Sequence, residues 1–275
     1  MDFLSIFMLN LSDLILDSAK TIEKIEWFIL QEIRKSGLNG ALLSVSGGID
    51  SAVALALAVR ALGSHRIRAV TLPERDITPE RDVADVMCLV RRLDVTCDTV
   101  EITPVMAAIR EALPLFDPSD RVAFGNVKSR VRMAFSYYYA NSLRYMVIGS
   151  SNKTEWMTGY FTKHGDGGVD LMPLADLYKN QIRQLAAHLE IPESIMRKAP
   201  SAGFWPGQTD EEELGTDYDT LDLILYGMEK GMTEQEIAEA LKKDLTLVKG
   251  VFDRVRANEH KRRLPLILRL STASG

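Results

Sequence analysis

Residues 44–51 read Ser44-Val45-Ser46-Gly47-Gly48-Ile49-Asp50-Ser51, two glycines and three serines around one carboxylate. They follow the apolar run Ala41-Leu42-Leu43 and open a second apolar run at residues 53–59. A strand, a glycine turn and a helix N-terminus in that order make an anion site. Glycine lets the backbone curl and approach a ligand closely. The first N–H groups of the helix, with its dipole, then point at negative charge. Ser46 and Ser51 add hydroxyl donors. Asp50 would repel a bound phosphate unless a cation lay between them, so it implies Mg²⁺. Without a ligand, the same residues serve as a turn and a helix cap, with either serine or the aspartate as the cap. The Walker pattern G-x-x-x-x-G-K-[ST] and the dinucleotide fingerprint G-x-G-x-x-G are both absent. The nearest decoy, Gly149–Thr154, lacks the glycine before its lysine.

Three further stretches carry polar chemistry. In Gly149-Ser150-Ser151-Asn152-Lys153-Thr154-Glu155, Ser151 or Asn152 can cap a short helix. Glu155 then either joins Asp50 on Mg²⁺ or closes a capping box. In residues 159–170, three glycines in four positions (Gly165, Gly167, Gly168) suit a loop packed close to a ligand or another chain, with Lys163 and Asp170 as its polar contacts. The alternative is a plain surface loop. Residues 198–211, with Pro200, Gly203, Phe204, Trp205, Pro206 and Gly207, have a composition that suits a lid able to exclude water, or simply a loop.

The elements that must position these residues follow from periodicity. Leu14, Ile15, Ile22, Ile25, Ile29 and Ile33 share one face of a helix over 12–35, ended by Gly37. Strands are expected at 41–45, 66–72, 95–102 and 145–148, and helices at 79–93, 104–112 and 121–142. Strands alternating with helices predict an α/β fold with a parallel sheet flanked by helices. Ligands gather at the carboxyl ends of such strands. The loops after Val45 and after Ile148 should therefore face one cleft. Residues 211–264 read as a mostly helical C-terminal extension of a core at about 36–200, within one domain spanning 1–275.

Bulk properties narrow the class. The chain has 275 residues, 46% of them hydrophobic, enough for a sizeable core. A net charge of −5 and a pI near 5.5 argue against nucleic acid as partner. Two cysteines, Cys88 and Cys97, have neither metal-ligand spacing nor a disulfide framework, as in a reducing compartment. The apolar run at residues 3–9 lacks a basic flank and is too short to span a bilayer, so a cytoplasmic protein without a membrane partner is expected.

The order S-G-G-x-D-S after a strand resembles the PP-loop of the N-type ATP pyrophosphatases, an adenine nucleotide alpha hydrolase-like fold. These enzymes split ATP between its α and β phosphates and adenylate a substrate oxygen. Taken with N-K-T-E (152–155), G-Y-F-T-K-x-G-D-G-G-x-D (159–170), K-x-P-S-A (198–202), D-E-x-x-L-G (210–215) and E-H-K-R (259–262), the chain resembles ammonia-dependent NAD synthetase. Carried over by position, the resemblance implies that Ser44, Val45, Ser46, Gly47, Gly48, Ile49, Asp50 and Ser51 hold ATP. Ser150, Lys179 and Ser201 also contact ATP, and Asp50, Lys179 and Ser201 form the catalytic set. Asp50 and Glu155 bind Mg²⁺. Arg130, Lys163, Asp170, His260 and Lys261 contact deamido-NAD. Lysine suits phosphate as a mobile charge and arginine as a fork; outside the motif, Lys179 and Arg130 would read as solvated helix residues and Ser201 as a turn former. The family forms homodimers with the dinucleotide site at the subunit interface.

The chain departs from the family at two places. It has Ser201-Ala202-Gly203-Phe204 where Thr-Ala-Asp-Leu is common, and His164 where tyrosine is usual. Serine keeps the hydroxyl; the lid aspartate is missing. The resemblance implies a carbon–nitrogen ligase. The nicotinate carboxylate attacks the α-phosphorus of ATP, pyrophosphate leaves, ammonia attacks the acyl-adenylate, and AMP departs with NAD formed. No protein nucleophile is required, in keeping with the lack of a Ser-His-Asp or Cys-His arrangement. About forty residues precede the loop, too few for a glutaminase domain, so ammonia comes free or from a separate subunit. Two rival readings are a superfamily member with another acceptor and a non-catalytic nucleotide sensor. The Lys163–Asp170 loop and the acidic pI oppose the first; the two Mg²⁺ carboxylates oppose the second.

Overall fold

The computed structural model describes residues 8–268; residues 3–7 of the apolar N-terminal run lie outside the described residues. Four strands, β1 (Gly40–Ser44), β2 (Ile67–Thr71), β3 (Thr96–Thr99) and β4 (Tyr145–Ile148), form a parallel sheet in the order β3-β2-β1-β4. The helices are α1 (Ser18–Ser36), α2 (Ile49–Leu62), α3 (Glu80–Arg92), α4 (Thr103–Ala112), α5 (Arg121–Leu143), α6 (Lys153–Thr158), α7 (Lys179–His188), α8 (Glu193–Met196), α9 (Asp210–Leu214), α10 (Tyr218–Glu229), α11 (Glu234–Leu241) and α12 (Leu245–Ala257).

Side chains alternate along β1 and divide the core. Ala41 and Leu43 pack with Ile29 and Ile33 of α1, Leu55 of α2 and Ile182 of α7. Leu42 faces the other way, with Val70, Val147 and Ala140 of α5. The α/β layering expected from the sequence is thus present. Every residue from Ser51 to Ala58 of α2 is buried, as a helix enclosed by the sheet, α1 and α7 requires. A third cluster joins Leu14 and Tyr178 to Tyr218, Ile224, Ile237 and Val251 of the C-terminal helices.

Two expectations need correction. The first helix does not start at residue 12: a 3₁₀ turn, Leu11–Leu14, comes first, and Asp17 then caps α1 by accepting from Lys20 N. Ile15 falls in the break and is 71% exposed, although it fits the period. Strand β3 covers only Thr96–Thr99 of the predicted 95–102. It is the sheet edge, and beyond it pairing continues as isolated bonds, Val100 N to Thr71 O and Ile102 N to Pro73 O, both 2.9 Å. The C-terminal region is helical, as expected, and is tied to the core. Asp222 of α10, fully buried, accepts from Thr154 Oγ1 of α6 at 2.5 Å and from Asn180 N of α7 at 2.8 Å.

Candidate active site

At the end of β1 the chain turns at Gly47, whose φ is +85°. A Cβ there would lie 2.7 Å from the Asp82 carbonyl oxygen, so glycine is required by conformation and by space. The loop is held from within. Ser46 N donates to Ser51 Oγ at 3.3 Å, Ser51 Oγ donates to the Gly48 carbonyl at 2.9 Å, and Gly48 N donates to Ser46 Oγ at 3.3 Å. The buried Ser51 hydroxyl therefore braces the loop rather than facing a ligand. Ser44 Oγ is likewise occupied, 2.7 Å from Ser136 Oγ of α5. Neither serine nor Asp50 caps α2: Gly48 is the N-cap and supplies no side chain. The first N–H groups of α2 are left for an anion.

The neighbouring strand end delivers the second half of the cluster. Leu43 of β1 pairs with Ile148 of β4, so the loops after Val45 and Ile148 emerge side by side. Asn152, fully buried, caps α6 by accepting from Glu155 N at 2.9 Å, while its Nδ2 donates to Asp50 Oδ1 at 2.9 Å. Of the two jobs weighed for it, Glu155 does the second, the capping box, and it also faces the partner of Asp50. Its Oε2 accepts from Asn152 N at 3.3 Å and closes the capping box; its Oε1 lies 3.4 Å from Lys179 Nζ. Lys179, in the first turn of α7 and only 2% exposed, places Nζ 2.5 Å from Asp50 Oδ2. One ammonium thus sits between two carboxylates. Its backbone N–H donates to Thr154 Oγ1 at 3.1 Å, and Thr154 donates to Asp222. The buried Asp222 therefore fixes α6 and α7, the helices that carry Glu155 and Lys179.

The electrostatics follow from that crowding. Burial and the Asp50 charge push the Glu155 carboxyl up to about 8. Burial opposes the Lys179 charge, but Asp50 and Glu155 outweigh it and raise its pKa. The site carries an excess of negative charge and holds its lysine firmly cationic.

The segment read as a lid or a plain loop, residues 198–211, begins just beyond α8. Lys198 at its base donates to the Gly47 carbonyl and to Asp85 Oδ2, both at 2.9 Å, and pairs with Asp82 at 2.7 Å. Ser201 is exposed and turns its hydroxyl to its own backbone, accepting from Gly203 N at 3.1 Å; it does not join the Asp50–Glu155–Lys179 group. The departure at Gly203 has a conformational role, since its φ is +64°. The next residue, Phe204, lays its ring on Gly125 of α5, where a Cβ would stand 2.1 Å from the ring. The buried Lys128 pairs with Glu74 at 2.7 Å and donates to the Phe204 carbonyl at 2.8 Å.

Four of the residues assigned to deamido-NAD, Arg130, Lys163, His260 and Lys261, meet in a second group, which Asp170 does not join. Lys163 Nζ donates to the His260 carbonyl at 2.7 Å, and Arg130 Nε donates to the Lys163 carbonyl at 3.3 Å. Lys261 Nζ donates to the carbonyls of Gly159 at 2.7 Å and Phe161 at 3.2 Å, and its burial lowers its pKa. Asp170 braces β4, accepting from Tyr137 Oη at 3.0 Å and Val147 N at 2.8 Å. The glycine loop does pack closely, but against this chain: a Cβ on Gly165 would stand 2.4 Å from Ser129 Oγ of α5. Ser150 is half-buried at the end of β4. Sequence reasoning missed Asn152 as partner of Asp50, and Lys198, Lys128, Asp210 and Asp222. Only Asp222 left a trace, a charge inside the apolar run of α10.

Comparisons with known proteins now bear on this arrangement. The sequence model of the NAD synthase family matches residues 21–265. The NH(3)-dependent NAD(+) synthetase of Methanosarcina acetivorans is 40% identical over 250 residues, covering 91% of this chain and 98% of that one. That of Hyperthermus butylicus is 42% identical over 251 residues, 91% of this chain and 90% of its own. Among solved structures, NMN synthetase from Francisella tularensis superposes with a TM-score of 0.82 at 32% identity, over 93% of this chain and all of that one. The NH3-dependent NAD synthetase of Campylobacter jejuni, in complex with nitrate, gives 0.78 at 28% identity over 93% and 100%. With the family model matched over residues 21–265 and relatives about 40% identical along nine-tenths of the chain, this protein belongs to the NAD synthase family.

Proposed function

We propose that this protein amidates deamido-NAD with ammonia at the expense of ATP, yielding NAD, AMP and pyrophosphate, within the single domain 1–275. The observation that carries this reading is the convergence of Asp50, Glu155 and Lys179 beside the uncapped N-terminus of α2. The α2 N–H groups and Gly47–Gly48 hold the ATP phosphates. Lys179 orients both carboxylates and offers its charge to the α-phosphate. Ser150 and Ser201 flank the nucleotide, and Arg130, Lys163, Asp170, His260 and Lys261 border the dinucleotide. The nicotinate carboxylate attacks the α-phosphorus, and ammonia then displaces AMP. The chain supplies position and charge rather than a covalent nucleophile.

Asp50 and Glu155 fit a divalent cation. They already converge on one positive charge, and the raised Glu155 carboxyl reports negative charge that a cation would relieve. Among the described residues no three His, Cys, Asp or Glu side chains gather to hold a metal. Two carboxylates with phosphate oxygens and water completing the shell is what Mg²⁺ ordinarily takes. Bound there, Mg²⁺ supplies charge neutralisation at the phosphates.

A homodimer sharing the dinucleotide site accords with the exposed Val122 and Tyr138 on α5, the helix that also bears Arg130; a monomer by light scattering would overturn it. No helix among the described residues is long and apolar enough to cross a membrane, and we place the reaction in the cytoplasm. The likeness to NMN synthetase favours one second reading, the mononucleotide counterpart as acceptor. Incubation with ATP, Mg²⁺, ammonium and either acceptor, with NAD, NMN and AMP measured, tests both. NAD is expected; NMN alone would support the second reading, and neither product would refute both.

A further inference from the structure

Beside the carboxylate–lysine cluster stands an acidic group that the adenylation chemistry does not use. Asp210, the first residue of α9, is 4% exposed. Its Oδ2 accepts from Tyr218 Oη at 2.8 Å; its Oδ1 is buried with no hydrogen-bond partner among the described residues. The only other hydroxyl in the group, that of Tyr160, lies between Asp210 and Glu213, and its single proton is directed to Glu213 Oε2. Glu213 Oε2 also accepts from Gln208 Nε2 at 3.0 Å, and Arg254 bonds the Glu213 backbone carbonyl, not its carboxylate. Each nearby donor is therefore spent, and what remains is acceptors: Asp210 Oδ1, the Glu213 carboxylate and the Tyr160 oxygen. Tyr218 connects this group to the main site, since Lys179 Nζ lies 5.0 Å above its ring.

We propose that Asp210, with Glu213 and Tyr160, binds the nitrogen donor as ammonium next to the adenylation centre. An unpartnered buried carboxylate oxygen is costly unless a donor meets it. Asp210 and Glu213 add two carboxyl groups to the two, Asp50 and Glu155, that already share the one ammonium of Lys179. Mg²⁺ at Asp50 and Glu155 leaves only the single charge of Lys179 to offset both Asp210 and Glu213. A small monocation with N–H donors in every direction and no acceptor fits a pocket that offers only acceptors. The reaction consumes this species as ammonia, once one of its protons has passed to a neighbouring carboxylate. Tyr160 and Glu213 are only half-buried, so this group of acceptors borders the surface.

The inference rests on Asp50, Glu155 and Lys179 being the adenylation centre, and the test separates the two. Exchange of labelled pyrophosphate into ATP, dependent on deamido-NAD and without ammonium, reports adenylate formation alone. If the unaltered protein shows no exchange, the adenylation reading fails and this inference with it. Asp210→Asn keeps the shape and the acceptor for Tyr218. It is expected to retain exchange within about threefold while raising KM for ammonium about tenfold or more, the loss of one charge-assisted bond, with KM for ATP unchanged. Glu213→Gln should move KM for ammonium the same way by a smaller factor, and it decides the matter if Asp210→Asn does not fold. An unchanged KM for ammonium in the folded variants, or exchange lost while that KM stays constant, would overturn the proposal.

Discussion

Asp50→Asn is the informative perturbation of the carboxylate–lysine cluster, because Lys179 has two partners rather than one. Breaking a buried ion pair by removing one partner ordinarily costs about 3–5 kcal/mol, since it strands the other charge. Here the second carboxylate intervenes. The Glu155 carboxyl is raised to about 8 by burial first and then by Asp50. Near neutral pH it therefore keeps its proton, leaving Asp50 to balance Lys179. Replacing Asp50 by asparagine removes that repulsion, Glu155 ionises, and the ammonium 3.4 Å away regains a counter-charge. The expected loss is about 1–3 kcal/mol, below the full penalty for a stranded charge. Glu155→Gln alone, replacing a group already neutral and weakening one capping-box bond, should cost about 1 kcal/mol or less. The double variant leaves Lys179 buried without an anion and should lose about 3–5 kcal/mol, more than the two singles combined. Urea unfolding of the metal-free protein near neutral pH measures all three. Strict additivity would refute the shared-lysine account. All three variants should fail to make NAD, since each lacks a carboxylate assigned to Mg²⁺.

Other consequences are more direct. Gly47→Ala forces a side chain into a left-handed turn and against the Asp82 carbonyl at 2.7 Å; a loss of about 1–3 kcal/mol and a marked rise in KM for ATP are expected, and calorimetry with steady-state kinetics would show a silent substitution to be inconsistent with this geometry. Gly125→Ala puts a methyl into the Phe204 ring and should unseat the lid, lowering kcat with a stability change of about 1–3 kcal/mol; unchanged kcat would mean the seat is irrelevant to turnover. Metal-free stability should depend on Glu155. Its folded pKa, about 8, lies above the unfolded value of 4.5, so its contribution is complete below the unfolded value and is lost as pH rises through the folded one. Melting temperatures across that range should fall less steeply in Glu155→Gln, and identical slopes would rule the effect out.

The fold and half of the site were legible because their signals are local. Gly47, Gly48 and Asp50 lie within four residues between a strand and a helix, and Ile148 breaks into a capped turn within a few more. Ile15 was misread because period alone places it on the α1 face, whereas the Asp17 cap sets the helix start three residues later. The rest was hidden by chain separation. Lys198 bonds Gly47, Lys128 bonds Phe204, and Asp222 bonds Thr154, partners 151, 76 and 68 residues apart. A lysine in sequence reads as solvated, and nothing in Lys128 or Lys198 announces burial. The glycines at 165–168 were read correctly as a close approach, but only topology reveals that α5 is what they approach.

Taken together, these contacts explain how carboxylates can stand in the site proposed for the polyphosphate of ATP. Asp50 and Lys179 each lie in the first turn of a helix, α2 and α7, and Glu155 in the first turn of α6. Acidic groups there are stabilised by the helix dipoles, and Lys179 offsets part of the remaining charge. The protein thus holds two carboxylates together before any cation arrives, with one ammonium and one retained proton standing in for it. Mg²⁺ with ATP would release the proton and leave Lys179 free to turn toward the phosphates. The cation-dependent step is then a replacement within a preformed group rather than the assembly of a new one. ATP with Mg²⁺ should accordingly be accompanied by proton release near neutral pH, measurable by calorimetry in buffers of different ionisation enthalpy. Glu155→Gln should abolish that release, and a release that persists in the variant would place the proton elsewhere.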